Sequence, residues 1–206
     1  MPPTRSRAAA RRSPPDSFLG SLFTIGVLTG VLWLVQYVNA DDDQRLDRYG
    51  IVPHDTVGLR GILFAPFLHA GWDHLYANTL PFLVLGWLTL LHNGQRFLPV
   101  TALVMVGSGF GAWLLVPRGS LIVGASGVIF GWLGYIAARG FYDHRIGEII
   151  LGAVLVLGWG FFRLLDSLSP LAGPGIAWQA HLCGFLAGVF AAYVFRHPAP
   201  PATPRW

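Results

Sequence analysis

The sequence predicts an all-α polytopic membrane protein, with six transmembrane helices in one bundle. The first observation is composition: of 206 residues, 53% are hydrophobic and 12% are charged, whereas a soluble domain carries about 25% charged residues. The second is a series of six apolar runs, each near the roughly 20 residues that span a bilayer. The third is helical spacing of glycines in the fourth and sixth runs, which allows close helix packing in lipid.

The six runs are joined mostly by short connections. They cover approximately residues 17–39, 74–92, 97–116, 122–139, 146–166 and 177–196. We expect one membrane domain over residues 17–196. The Pro- and Arg-rich N-terminus, 1–16, and the similar tail, 197–206, are predicted to be disordered.

The first run has a second interpretation, as a cleaved signal peptide. Val38-Asn39-Ala40 resembles a signal-peptidase site behind a basic N-terminus. The apolar run before it has about 21 residues, longer than the usual 7–15 of a signal peptide. We therefore predict an uncleaved first helix. The long connection that follows, 40–73, is rich in aromatic and apolar residues, which favours a folded loop at the membrane interface.

The second, fourth and sixth runs carry polar residues at one common depth. At a rise of about 1.5 Å per residue, Ser126 lies roughly 20 Å above the inner end of its helix, and Asn78 and His181 lie roughly 22 Å above theirs. His74 is one turn from Asn78 and on the same face. Such polar residues inside a membrane are functional candidates by default.

Glycine spacing predicts which helices meet. The fourth run carries a bare stripe at steps of three and four, and the sixth carries a G-x-x-x-G pair on the face of His181. The stripes consist of Gly124, Gly127, Gly131 and Gly134, and of Gly184 and Gly188. Pairing them would bring Ser126 and His181 near one contact.

Arginine placement predicts the sidedness. All 14 basic residues are arginine, and they lie mostly at the ends of apolar runs, where they set orientation. The net charge of +4 is therefore no sign of nucleic acid binding. With the N-terminus inside, nine arginines fall on the inner side and five on the outer side, which favours both termini inside. The inner set is Arg5, Arg7, Arg11, Arg12, Arg96, Arg139, Arg145, Arg196 and Arg205.

The polar set matches the needs of a serine hydrolase. A serine hydroxyl needs an adjacent base to act as a nucleophile. Since the chain has no lysine and no acidic residue at depth, His181 is the remaining candidate. The oxyanion then requires preorganised donors, which Asn78, His74 and the backbone N–H of Ser126 could supply. No aspartate is available as the third member of a triad.

Each residue also has an ordinary structural interpretation. A lone membrane serine usually packs and bonds its own backbone, and a buried histidine can be a partnered core residue. A metal site at His69, Asp73 and His74 would need His181 as a deep ligand, and no H-E-x-x-H motif is present. We therefore predict no metal and no cofactor.

Three motifs in order resemble the rhomboid intramembrane serine proteases. The family pattern H-x4-H-x3-N is matched by His69, His74 and Asn78, and its G-x-S-G is matched by residues 124–127. The histidine of the sixth helix, followed by small residues, is matched by His181 with Gly184 and Gly188. Order and spacing agree over about residues 17–196. One departure is Leu59-Arg60, where the family often has a Trp-Arg pair.

The resemblance implies a basic six-helix bacterial-type protease in the plasma membrane, with its active site opening outward. Ser126 would be the nucleophile, His181 the general base, and His74 and Asn78 the oxyanion hole, with His69 a structural loop residue. The partners would be the lipid bilayer and single-pass or polytopic membrane-protein substrates. The fifth helix and the loop after it would form a lateral gate.

Two other functions are compatible with a polytopic helical protein. A non-proteolytic relative that binds and escorts membrane proteins would usually lack the serine or the histidine, but this sequence has both. A small transporter would be expected to show a deep charge, an inverted repeat or broken helices near the midplane. No convincing repeat is present, and Ser126 lies near a helix start.

Overall fold

A computed structural model describes residues 17–160, 167 and 175–196 of the chain, and most of them are helical. Strands are absent from these residues; an isolated antiparallel bridge joins Ile51 and Ile122. The helices are α1 (Phe18–Asp41), α2 (Gly61–Phe64), α3 (Trp72–Asn93), α4 (Phe97–Leu115), α5 (Ser126–Tyr142), α6 (Ile146–Leu155) and α7 (Trp178–Val194). A π-helical turn, Val156–Gly160, continues α6.

Three helices are long and apolar enough to cross a membrane, as expected of an integral membrane protein. They are Phe18–Asp41, Trp72–His92 and Gly94–Leu115. Since α5 and α7 have 17 residues each, the six-span count remains a prediction. The predicted disordered ends, 1–16 and 197–206, and the last part of the fifth run, 161–166, lie outside the described residues.

Helix α5 is the centre of the bundle. Its Trp132 and Tyr135 are each 1% exposed, and Trp132 packs against the rings of Phe82 from α3 and Phe97 from α4. The indole N–H of Trp132 donates to Thr101 Oγ1 over 3.0 Å. Core aromatic residues with a satisfied polar group fix the relative positions of α3, α4 and α5.

The glycine stripes on α5 and α7 meet, as their spacing predicts. A Cβ atom on Gly184 would collide with the carbonyl of Gly127, and one on Gly188 would collide with the carbonyl of Gly131. The two backbones therefore touch at both levels, which only glycine permits. This contact sets the start of α7 beside the start of α5.

The fourth apolar run becomes helical later than the sequence suggests. The helix was expected from about residue 122, but α5 begins at Ser126. Two features delay it: Ile122 is paired with Ile51 through two backbone hydrogen bonds of 2.9 Å, and Gly124 has a φ of +118°. A left-handed residue cannot continue into a right-handed helix, so the chain turns at Gly124 and the helix starts two residues later.

The connection between α1 and α3 is folded, in agreement with its composition. It contains α2 and three 3₁₀ turns, Arg45–Tyr49, Val57–Arg60 and Ala65–Phe67. Asn39, which is fully buried at the end of α1, anchors it: its amide donates to Gln44 Oε1 and Asp47 Oδ1, and its oxygen accepts from the backbone N–H of Leu46. We call residues 42–71 the α1–α3 loop.

Candidate active site

Ser126 and His181 are in direct contact. Ser126 is the first residue of α5, and His181 lies in the first turn of α7. The distance between Ser126 Oγ and His181 Nε2 is 2.8 Å, a normal hydrogen-bond length. The glycine contact between the two helices therefore brings together side chains that are 55 residues apart in sequence.

The other ring nitrogen of His181 is held by the backbone. His181 Nδ1 lies 2.9 Å from the carbonyl oxygen of Ser167. Because a carbonyl only accepts, Nδ1 carries the proton and donates it, and Nε2 is left as the acceptor that faces Ser126. The carbonyl of Ser167 thus does what the missing aspartate would do for orientation. This contact could not be predicted from residue types, because every residue has a carbonyl group.

The imidazole ring of His181 also packs against the aromatic ring of Phe130. The two rings stack with a centroid distance of 4.5 Å and an interplanar angle of 22°. Phe130 follows Ser126 by four residues, so both lie on one face of α5. An aromatic support for the histidine could have been predicted from that spacing, although Phe130 is not among the residues predicted above.

His74 and Asn78 lie against Gly124, shortly before Ser126 in the chain. A Cβ atom built on Gly124 would be 2.6 Å from Cε1 and 2.7 Å from Nε2 of His74, and 3.7 Å from Asn78 Nδ2. The N–H of Gly124 donates to the carbonyl of Ala65 over 2.8 Å. The strand-like segment before α5 is therefore held between the α1–α3 loop and the start of α3.

N–H groups without an acceptor are present near the start of α5. Asn78 is 6% exposed, and its Nδ2 is buried without an acceptor among the residues that the structure describes. The first N–H groups of a helix also lack intrahelical acceptors, and here they belong to Ser126 and Gly127. A free amide and a helix N-terminus are the type of donor that stabilises an oxyanion.

His69 is fully buried beside this group rather than part of its surface. Its ring centroid lies 5.2 Å from that of His74. Burial, assisted by the nearby His74, lowers the pKa of His69 to about 3, because a charged imidazole is disfavoured away from water. His69 is therefore neutral, and it lies in the α1–α3 loop just before the start of α3; its structural role, which the family resemblance implies, stays a prediction.

A cavity of about 880 Å³ opens over the Ser126–His181 pair. Its walls come from α3, α4, α5, α7 and the α1–α3 loop. Near the pair they include His74, Asn78, Ser108, Phe130, Ser167 and Gln179. A cavity of this size accommodates several amino-acid residues. Within the described part of the chain, no three His, Cys, Asp or Glu side chains are grouped to hold a metal ion.

Known proteins similar to this chain share most of its length. The model of a family described as "Rhomboid domain" matches residues 58–198. An uncharacterized protein of Mycobacterium tuberculosis is 41% identical over 182 residues, which cover 85% of this chain and 75% of that protein. An uncharacterized protein of Mycobacterium leprae is 40% identical, with 85% and 71% covered. "Rhomboid-like protein 11, chloroplastic" of Arabidopsis thaliana is 30% identical over 145 residues, with 63% and 50% covered.

Proposed function

This chain belongs to the rhomboid family, and we propose that it is an intramembrane serine endopeptidase with Ser126 and His181 as its catalytic dyad. The observation that carries the proposal is the 2.8 Å contact between Ser126 Oγ and His181 Nε2. The two side chains lie in a cavity within a helical membrane protein, where an unpaired polar group would be costly. A serine hydroxyl is activated as a nucleophile when it contacts a base, such as a histidine, whose orientation is held by a third group.

The reaction would proceed through an acyl-enzyme. Ser126 Oγ attacks the carbonyl carbon of the scissile peptide bond while its proton passes to His181 Nε2. The resulting imidazolium is stabilised by the carbonyl of Ser167 at Nδ1. His181 then gives the proton to the leaving amine, and the C–N bond breaks. A water molecule activated by the same nitrogen hydrolyses the ester and regenerates Ser126.

The oxyanion would be stabilised on the α3 side of Ser126. Asn78 Nδ2, the backbone N–H of Ser126 and the ring of His74 are the candidate donors. Asn78 is the strongest of these, because its buried donor has no acceptor in the described part of the protein and its hydrogen bond to the substrate oxygen strengthens as that oxygen becomes negative. Interactions that are stronger in the transition state than in the ground state raise the rate.

The membrane arrangement belongs to the same proposal. Six spans with both termini inside would place the cavity toward the outer side, where water can reach Ser126. The substrate would be a transmembrane segment of a single-pass or polytopic protein. Because an intact helix shields its carbonyl groups, we expect cleavage where small residues, Gly or Pro weaken the helix.

Purified protein in detergent tests the proposal with a model transmembrane substrate and a serine-directed covalent probe. We expect the parent to cleave the substrate and the probe to label Ser126. The serines at 108 and 167 line the same cavity and should remain unlabelled. Ser126→Ala should abolish both cleavage and labelling. Asn78→Ala should keep the label but lower turnover roughly ten- to a thousand-fold, by the scale of oxyanion donors.

Two results would contradict this function. Cleavage by Ser126→Ala at the parent rate would exclude Ser126 as the nucleophile. If the parent cleaves nothing and both parent and Ser126→Ala capture the substrate equally, a binding and escort function, the alternative considered from the sequence, would replace the protease.

A further inference from the structure

Two arginines of the α1–α3 loop share one aromatic ring. The guanidinium carbon of Arg60 lies 4.8 Å from the ring centroid of Tyr49, and that of Arg48 lies 5.0 Å from it. The two cations are therefore separated by no more than the sum of these distances. Arg60 Nη2 also donates to the carbonyl of Arg48 over 3.0 Å, which fixes one chain segment against the other.

Backbone packing holds the two segments together independently of the side chains. A Cβ atom on Gly61 would overlap the backbone of Gly50, and one on Gly58 would overlap the backbone of Val52. The 3₁₀ turn that carries Arg48 is also tied to Asn39 through the N–H of Leu46. The closeness of the two guanidinium groups is thus a property of the loop fold.

Neither guanidinium group is neutralised by a carboxylate in the part of the protein that the structure covers. The ion pairs there involve Arg45, Arg139 and Arg145. Asp47 is next to Arg48 in sequence, but its carboxylate accepts from the amide of Asn39. Two exposed like charges held at one ring repel each other, and an anion that contacts both would relieve this repulsion.

The side chains around Arg48 and Arg60 are apolar and exposed. The ring of Tyr49 contacts Phe64 at a centroid distance of 6.2 Å. Phe64, Leu63 and Val57 are exposed by 46%, 59% and 58%. In an integral membrane protein, exposed apolar side chains beside a tyrosine and arginines are typical of the boundary between acyl chains and headgroups.

We propose that Arg48 and Arg60 form a binding site for the phosphate of an anionic phospholipid in the leaflet on the side of the α1–α3 loop. The phosphate lies against the two guanidinium groups, which suit phosphate oxygens by geometry and charge. The acyl chains cover Phe64 and Leu63. The bound lipid holds the loop in the membrane plane. This site does not depend on the proposed protease activity.

Native mass spectrometry of the purified full chain tests the site. The protein is released from mixed micelles of phosphatidylglycerol and phosphatidylcholine, and the retained lipids are counted. We expect phosphatidylglycerol to be retained in preference, and Arg48→Gln and Arg60→Gln each to reduce its retention roughly fivefold, by the usual contribution of one arginine near an anionic surface. Arg48→Lys, which keeps the charge, should retain most of the lipid.

Arg45→Gln is the matched control. Arg45 is an exposed arginine of the same loop, but it is paired with Asp42 at 3.3 Å, so its loss should leave retention unchanged. Among the residues that the structure describes, the guanidinium group of Arg48 has polar and cation–π contacts with Tyr49 alone. Arg48→Gln should therefore fold, and its thermal unfolding midpoint is measured to verify this.

Three results would overturn the site. Equal losses for Arg45→Gln and Arg48→Gln would mean diffuse charge attraction. Displacement of the lipid by inorganic phosphate at an equal concentration would mean a site for a free anion. If Arg48→Gln retains lipid as the parent does but cleaves only substrates with acidic flanks more slowly, the pair recognises protein instead.

Discussion

Gly124 is the residue at which backbone conformation and site geometry meet. Its φ of +118° turns the chain into α5, and its bare α-carbon makes room for the ring of His74. Both requirements exclude a side chain, but they are different in kind. The first is backbone strain, and the second is a steric contact with a residue that we assign to the oxyanion hole.

Gly124→Ala should separate the two requirements when compared with Gly119→Ala. Gly119 also has a positive φ, +86°, but no atom of the described residues lies within 4 Å of a Cβ built there. Both variants bear the backbone strain, whereas only Gly124→Ala displaces His74. We expect turnover of the transmembrane substrate to fall at least roughly tenfold for Gly124→Ala and to change little for Gly119→Ala. Equal losses of turnover in the two variants would show that displacing His74 adds nothing to the effect of backbone strain.

The contact between Ser126 and His181 was predictable from the sequence, whereas one of the two groups that support His181 was not. Helical rise alone placed Ser126, His181 and Asn78 at one depth, and glycine spacing indicated which helices meet. The carbonyl of Ser167 escaped prediction because a backbone group has no residue type. The stacking of Phe130 on His181 could have been predicted from its spacing of four residues from Ser126. It is difficult to recognise, because one apolar residue in an apolar helix does not differ from its neighbours.

In the described part of the chain, the junction between α5 and α6 contains a buried cluster of three charged side chains. Arg139 Nε lies 3.2 Å from Asp143 Oδ2 and 3.4 Å from Glu148 Oε2, and its side chain is 5% exposed. From sequence, these residues were ordinary helix ends and arginine anchors. Their burial depends on α6 folding back onto α5, with Gly140 and Gly152 allowing close contact. The packing of α6 against α5 cannot be predicted from a short stretch of sequence.

Removing the cation from this junction should destabilise the protein. Arg139→Gln leaves two carboxylates facing each other at low exposure, and breaking a buried pair in this way costs about 3–5 kcal/mol. Arg145→Gln is the control: Arg145 binds the same Glu148 but is 56% exposed, and exposed pairs contribute less than about 1 kcal/mol. Unfolding by SDS titration in mixed micelles measures both. Similar losses for the two variants would contradict the assigned difference in burial.

At the scale of the whole molecule, the described arginines do not determine sidedness. The end of the bundle with the α1–α3 loop has four described arginines, and the opposite end also has four. The first set is Arg45, Arg48, Arg60 and Arg118; the second is Arg96, Arg139, Arg145 and Arg196. Acidic residues contribute little to orientation. The predicted inside position of both termini therefore depends mainly on the four arginines within residues 1–16.

Cysteine labelling of intact cells tests this dependence. Thr56 and Gln95 are exposed. Thr56 lies in the α1–α3 loop and Gln95 directly follows α3, so single cysteines there report the two sides of the membrane. With a membrane-impermeant maleimide, we expect labelling of Thr56→Cys but not of Gln95→Cys, with the parent and its half-buried Cys183 as background.

Replacing Arg5, Arg7, Arg11 and Arg12 with glutamine should then make a measurable fraction of Gln95→Cys accessible. This is because the two ends would carry nearly equal positive charge. If the parent is labelled at Gln95→Cys instead of Thr56→Cys, the proposed orientation is wrong and the cavity over Ser126 opens inward. If the four-arginine variant is labelled as the parent is, the N-terminal arginines do not set the orientation.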